Sequence, residues 1–266
     1  LSEIITVRER NKVQEELFIE HEENLENQIR LEKESLFTKR IYHTHHKAEK
    51  IMGFIKDDVR KMDTRNLIEL KKRVNTYSNF ISRIIYDMKW YNQDINTIVN
   101  PMFHTDVNSV IEFIVDNVFV RVSSKNEMFE LKIDLDRSLP FIRVNEFNVW
   151  EILEPLIQNS IDHCRVDFVT IKIQTKYDRE NNISYIYISD NGKGIVPELL
   201  EIGQKGIKKL FLEHETTKKL IESHSGYGCY IAHQLAVGKC DWRLDVENLE
   251  SVGCRFTIVM RNAEVL

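Results

Sequence analysis

The stretch IYHTHHKAEKIMGF, residues 41–54, sets His43, His45 and His46 within four residues of one another. An imidazole is a nucleophile or proton carrier where solvent and substrate reach it, and a surface polar residue otherwise. Much further along, ISDNGKGI (188–195) places Asp190 ahead of Gly192 and Gly194. A carboxylate leaving a strand into two glycines can accept a hydrogen bond while the backbone turns closely past a ligand, although an Asn-Gly hairpin turn reads the same way. SGYGCYIA (225–232) puts Gly226 and Gly228 before an apolar helix, where backbone N–H groups can cradle phosphate. WEILEPLIQNSIDHC (150–164) reads as a helix with Trp150, Ile152, Leu153, Leu156, Ile157 and Ile161 as its apolar positions. Glu151, Gln158, Asn159 and Asp162 fall largely on other faces, and the Asn159 amide can give a hard oxygen to Mg²⁺. Taken singly, each string is equally a turn, a helix-entry loop or a solvated helix face.

The elements that must position these residues fall into two patterns. Residues 1 to about 63 hold one glycine, Gly53, and no proline, and they are rich in Glu, Lys, Arg, Leu and Ile, which predicts one extended helix. Its first part carries only a thin apolar stripe (Ile5, Val13, Leu17, Leu25, Ile29, Leu36), suited to a two-stranded coiled coil over residues 1–40. From Ile41 the stripe sharpens: Ile41, Ala48, Ile55 and Met62 recur in sevens, with Thr44, Ile51 or Met52, and Val59 between them. After the MDTRN break, where Asp63 or Thr64 can cap a new helix, a second amphipathic segment runs from Leu67 to about Ile98. Two long helices and a short turn make an antiparallel hairpin over 41–100, and two hairpins pairing as a dimeric four-helix bundle would cover the apolar surface that one leaves open.

Asn100 and Pro101 punctuate the chain, with Asn100–Thr105 as a linker, and beyond them helices and strands mix. We expect helices over Val107–Val122, Glu146–His163 and about Tyr227–Val237. Strands are expected near Phe129–Asp136, Phe141–Val144, Phe168–Tyr177, Ile183–Ser189, Trp242–Glu247 and Cys254–Met260. The alternation of Phe168–Tyr177 and Ile183–Ser189 asks for a sheet with one covered face, so residues 101–266 read as an α+β two-layer sandwich.

The chain has 266 residues, 42% of them hydrophobic, and a formal net charge of −5. That charge gives no electrostatic reason to expect a nucleic acid or an anionic membrane as partner. The four cysteines lack CxxC or Cys/His metal spacing, which argues against a disulfide framework or zinc site and fits a cytoplasmic location. No apolar run approaches the length of a membrane span. The abrupt charged start at Leu1 suggests a piece of a longer protein.

The three strings, in this order, resemble the N box, DxGxG box and GxG box of the ATP-binding domain of sensor histidine kinases and their ATPase relatives, the Bergerat fold, over about residues 105–262. The resemblance implies ATP and Mg²⁺. Asn159 would coordinate the metal; Asp190 would accept the adenine amino group, with Gly192 and Gly194 letting the base approach; Gly226 and Gly228 would meet the phosphates. Leu210–Ser225 would be the ATP lid, with Phe211 as its phenylalanine box and Lys218 or Lys219 reaching phosphate. Gly253 and Phe256 resemble the terminal GxxF feature. Two positions depart from the common pattern: Pro155 stands where an Asn is frequent, and Asp162 where Lys or Arg is. IQNSIDHC instead looks like the N box of chemotaxis-type kinases, so Asp162 joins the candidate nucleotide residues.

The same resemblance asks for a dimeric hairpin carrying a phosphoacceptor histidine. With Ile41, Ala48 and Ile55 at heptad position a, His46 falls at f and His43 at c, both outward, and His45 at e flanks the seam. His46 matches the usual H box through Ala48, Met52 and Ile55, with Lys47 in place of an acidic neighbour. His43 begins HT and has Gly53 ten residues on, like the chemotaxis phosphotransfer motif, with His46 where that motif has Lys. We favour His46 over His43. Glu49 lies one turn from both His45 and His46 and can orient or deprotonate an imidazole. Lys50, in place of Thr or Asn, implies weak regulator phosphatase activity.

IITVRERNKVQEEL, at the start, resembles the linker that leaves PAS sensor domains. The resemblance thus implies a sensor histidine kinase that autophosphorylates on the hairpin and passes the phosphoryl group to an aspartate of a response regulator, working as a homodimer below a PAS-type sensor. An ATP-binding pseudokinase scaffold is the alternative from another class. An ATPase of the chaperone or topoisomerase branch fits the boxes but not the hairpin.

Overall fold

The computed structural model describes residues 2–63, 67–90, 98–120, 129–164, 166–203, 206–212, 228–250 and 252–262. The chain forms two compact units, Leu1–Tyr77 and Ser78–Leu266. The first contains helix α1, Ser2–Arg60, and the start of helix α2, Leu67–Trp90, which passes into the second unit at Ser78. The uninterrupted helix-forming composition of residues 2–60 accounts for the length of α1. The expected continuation of α2 from 91 to 97 lies outside the described residues, as do Thr64 and the side chains of Ile5, Val13, Leu17, Ile29 and Leu36.

In the first unit the buried line of α1 takes only part of the stripe the apolar count selects, Thr44 and Ile51, and adds two charged residues, Lys47 and Asp58. Thr44, Lys47, Ile51 and Asp58 are buried, whereas Ile41, Met52, Val59 and Met62 are exposed and Ala48 and Ile55 half-buried. A carboxylate such as Asp58 is costly to bury without partners. Two come from α2: the Tyr77 hydroxyl donates to Asp58 Oδ2 at 3.1 Å, and Arg73 Nε stands 3.3 Å from the same oxygen. The Tyr77 ring also lies 6.1 Å from that of Phe54.

The second unit is a five-stranded sheet with helices on one face. Its strands are β1 Phe129–Asp134, β2 Val169–Asp178, β3 Ile183–Asp190, β4 Arg243–Asn248 and β5 Cys254–Arg261, in the order β1-β2-β3-β5-β4. β1 and β2 are parallel and the other pairs antiparallel. Ile171, Ile173, Ile186, Ile188, Leu244, Val246, Phe256, Ile258 and Met260 alternate onto one buried face. Against it pack helix α4, Glu146–His163, and helix α6, Gly228–Ala236. Helix α3, Val107–Phe113, is capped by the Asp106 carboxylate, continues as a π-helical stretch over Ile114–Val120, and packs on α4. Phe80, Phe113 and Trp150 form an aromatic cluster, with centroids 4.3 Å apart for Phe80–Phe113 and 5.5 Å for Phe113–Trp150.

One expected strand is absent from the sheet. Ile142 and Val144 form single bridges to Thr105 and Val99, so Phe141–Val144 is held by the 98–105 segment instead. The short helix α5, Pro197–Leu200, and a 3-10 turn over Lys209–Phe211 were not anticipated. No helix among the described residues is long and apolar enough to cross a membrane.

Replacing Tyr77 with Phe removes a donor from the buried Asp58, and we expect a loss of about 1–3 kcal/mol in urea unfolding; a midpoint unchanged from wild type would show that the pair does not hold the turn end of α1 to α2.

Candidate nucleotide site

Strand β3 delivers Asp190 to the edge of the covered face, where it is 8% exposed. Its carboxylate is met by donors from several parts of the chain. The Gly192 N–H donates to Oδ1 at 2.9 Å, the Cys254 N–H lies 3.4 Å from Oδ1, and the Cys254 thiol donates to Oδ2 at 3.1 Å. Of the contacts described, only the Cys254 thiol reaches Oδ2. An ionised carboxylate has about four lone-pair sites, so this oxygen has capacity for one more donor, such as a base amino group.

The glycines around Asp190 are required by close approach. At Gly253 (φ +89°) a Cβ would stand 1.8 Å from the Asp190 carbonyl oxygen, and at Gly192 one would stand 2.6 Å from Cys164 Sγ. Gly194 has φ +76° and faces the Asn248 side chain. Asn248, at the end of β4, clasps the loop in both directions: its Oδ1 accepts from Ile195 N–H at 2.7 Å and its Nδ2 donates to the Ile195 carbonyl at 2.8 Å. Asn191 points back to the sheet, accepting from Thr170 N–H at 2.8 Å and donating to Phe168 at 3.0 Å.

Helix α4 carries Asn159, half-buried, and Asp162, exposed. The Asp162 carboxylate accepts from Gln158 Nε2 at 2.7 Å along the helix. Pro155 abuts the start of α6, where a Cβ on Gly228 would be 3.1 Å from the proline Cβ, and Gly228 opens that helix. Lys218, Lys219, Gly226 and most of the expected lid, 213–225, lie outside the described residues. Phe211 is buried and stacks on His233 of α6, with centroids 4.9 Å apart at 28°.

Sequence reasoning did not single out Cys164, Asn248, Cys254 or His233. Each earns its place by a contact remote in the chain, and only the position of Cys254 directly after Gly253 offered a local signal.

In the first unit His45 and His46 are both exposed. Glu49 Oε1 lies 3.7 Å from His45 Nδ1, and its Oε2 lies 3.9 Å from His46 Nδ1. Both separations are those of ion-pair neighbours and exceed hydrogen-bond length. The side chain of His43 lies outside the described residues.

Two tests bear on this geometry. Gly253→Ala forces a positive φ and a backbone clash, and should cost at least about 2 kcal/mol of stability, against a smaller loss for Gly194→Ala, whose neighbour is a side chain; equal losses would refute the distinction. Burial holds the His233 pKa below its ordinary value. A neutral buried imidazole contributes stability that is full above the unfolded-state pKa and lost as pH falls through the folded one. Acidification from about pH 7 to about pH 5 should therefore lower the melting temperature of wild type more than that of His233→Phe, and parallel curves would contradict this.

Residues 145–264 match the family of histidine kinase-, DNA gyrase B- and HSP90-like ATPases. Among solved structures, the catalytic domain of histidine kinase ThkA is 19% identical, with TM-score 0.50, covering 60% of this chain and 95% of that one. A mycobacterial sensor histidine kinase, MprB, is 16% identical at TM-score 0.46, covering 60% and 98%. ThkA in complex with the response regulator protein TrrA is 18% identical at TM-score 0.49, covering 87% and 64%. No curated protein matches the chain by sequence. Over 60% of its length the chain therefore has the fold of a histidine kinase catalytic domain, and the residues around Asp190 lie in a segment that matches the ATPases of the histidine kinase, DNA gyrase B and HSP90 type.

Proposed function

We propose that the protein is an ATP-dependent histidine autokinase of the sensor type. The observation that carries this reading is the pairing of a buried, donor-lined Asp190 inside an ATPase-type domain with exposed histidines on a separate helical unit. Asp190 accepts the amino group of adenine, and the glycines at 192, 194 and 253 let Cys164, Asn248 and the Asp190 backbone pack closely around it. Asn159 holds Mg²⁺, which offsets phosphate charge. Gly228 opens α6, whose N–H groups suit an anion, and Gly226 and Gly228 would meet the phosphates, as the resemblance implies. Lys218 adds a cation.

An imidazole nitrogen of His46, or of His43, attacks the γ-phosphorus as the bond to the bridging oxygen breaks and ADP leaves. Glu49, 3.9 Å from His46 Nδ1, would fix the His46 tautomer by accepting the Nδ1–H once the two side chains close to hydrogen-bond distance, which leaves the Nε2 lone pair to attack. The phosphoryl group then passes to an aspartate of a response regulator receiver domain. The exposed line Ile41, Met52, Val59 and Met62 supports a homodimer, since an amphipathic hairpin needs a second apolar surface. An upstream PAS-type sensor fits the opening linker.

Asp162 engaged by Gln158, and Pro155 seated against Gly228, favour a second reading: a pseudokinase scaffold that binds ATP without transferring phosphate.

Incubation with labelled ATP and Mg²⁺ separates the two. We expect acid-labile, base-stable label on wild type, lost in His46→Gln and retained in His45→Gln, with Asn159→Asp abolishing it. Loss only in His43→Gln would move the acceptor, and an unlabelled wild type that still binds ATP would leave the scaffold.

A further inference from the structure

Cys164 closes helix α4 and touches the Asp190 loop at three points. Its backbone carbonyl accepts from Lys193 N–H at 3.2 Å, and its Sγ lies 3.6 Å from Asp190 Oδ1 and 3.6 Å from Asn191 Oδ1. Gly192 has to lack a side chain to make room, because a Cβ there would sit 2.6 Å from Sγ and 2.7 Å from the Cys164 carbonyl oxygen. A single S–H serves one acceptor at a time. Asn191 Oδ1 already takes the Thr170 N–H at 2.8 Å, and a carboxylate is the stronger acceptor, so the proton belongs to Asp190. Burial, with the neighbouring Asp190 charge, pushes the Cys164 thiol up to about 12 and the Cys254 thiol upward as well. Both sulfurs therefore keep their protons and act as donors rather than nucleophiles.

We propose that Cys164 is a positioning residue that aims the Asp190 carboxylate at the base of the bound nucleotide: its S–H joins the Gly192 and Cys254 N–H groups on Oδ1, so that Oδ2, which takes the Cys254 thiol, keeps a lone pair turned toward an exocyclic amino group. This rests on the reading of Asp190 as the adenine acceptor. Cys164 also lies five residues beyond Asn159 on the same helix, so one rigid element sets the metal end and the base end of the site together. The consequence is a base preference. Adenine offers an amino group where guanine offers a carbonyl oxygen, which a carboxylate repels, so an aimed Asp190 favours ATP, while GTP draws nothing from it.

The test measures Mg²⁺-dependent binding of ATP and of GTP to the full chain by calorimetry, for wild type, Cys164→Ala, Cys164→Val and Cys164→Ser. A lost hydrogen bond to a charged acceptor should weaken ATP about tenfold in Cys164→Ala and Cys164→Val and leave GTP unchanged, so the ATP-over-GTP ratio falls about tenfold. Cys164→Ser keeps a donor and should hold the ratio. Alanine leaves room at a crowded position, so the comparison of Ala with Ser stands even where Val does not fold. A wild-type ratio in Cys164→Ala, or a Ser variant that falls with Ala, would overturn the positioning role, because a space-filling residue changes stability without changing base preference. Asp190→Asn separates the two levels: if it leaves the preference intact, the adenine reading fails; if it abolishes the preference while Cys164→Ala retains it, only the role of Cys164 fails.

Discussion

Burying a carboxylate is the most demanding thing this chain does, and Asp190 shows how the second unit is arranged to meet that demand. A charge taken out of water must be repaid by donors at close range. Those donors come from the Gly192 amide just after β3 and from Cys254 at the start of β5. The β3–β5 register, with Ser189 opposite Arg255, brings positions 190 and 254 together. Glycine at 253 follows as a necessity, since any side chain there would occupy the Asp190 carbonyl. The β3–β5 pairing and the glycines at 192 and 253 thus serve one electrostatic requirement.

The parts of this arrangement that sequence could reveal are the ones whose cause is local. A glycine is demanded by its own backbone angle or by a close neighbour, so Gly192, Gly194, Gly228 and Gly253 stand out in a chain with nine glycines. Alternation of apolar residues in β2, β3 and β5 is likewise a property of one strand, and those elements lie within a residue or two of where the pattern places them. Asn248, Cys164 and His233 carry no such mark. Asn248 acts across 53 residues to clasp Ile195, and no local rule announces that reach. The run FIRV at 141–144 has the composition of a strand, yet its backbone partners are Val99 and Thr105, and strand composition does not say which neighbour is available.

The hairpin makes the complementary point. Counting apolar residues in sevens finds Ile41, Ala48, Ile55 and Met62, a line the chain leaves exposed or half-buried. The buried line shares Thr44 and Ile51 with the positions between these, while its charged members, Lys47 and Asp58, are invisible to hydropathy. It becomes intelligible only with Asp58 seated against Tyr77 and Arg73. A specific polar contact of this kind fixes one register between two helices, whereas apolar contacts tolerate sliding.

The two units therefore handle polar chemistry in opposite ways. The surroundings of Asp190 are built in advance: its donors are placed by folding, so under the proposed reading little reorganisation would be left for the moment of binding. The histidines have no such enclosure. His45 and His46 are exposed, and both face the same Glu49 carboxylate at nearly equal distances, 3.7 and 3.9 Å. Neither burial nor the shared acid distinguishes one imidazole from the other within the helix. Under the proposed autokinase reading, selection of a phosphoacceptor would be geometric, set by which nitrogen can stand in line with the phosphorus, since an in-line displacement tolerates little error in angle or distance. A helix suits that requirement, because residues one position apart project about 100° from each other, so a fixed line of approach that admits His46 excludes its neighbour His45.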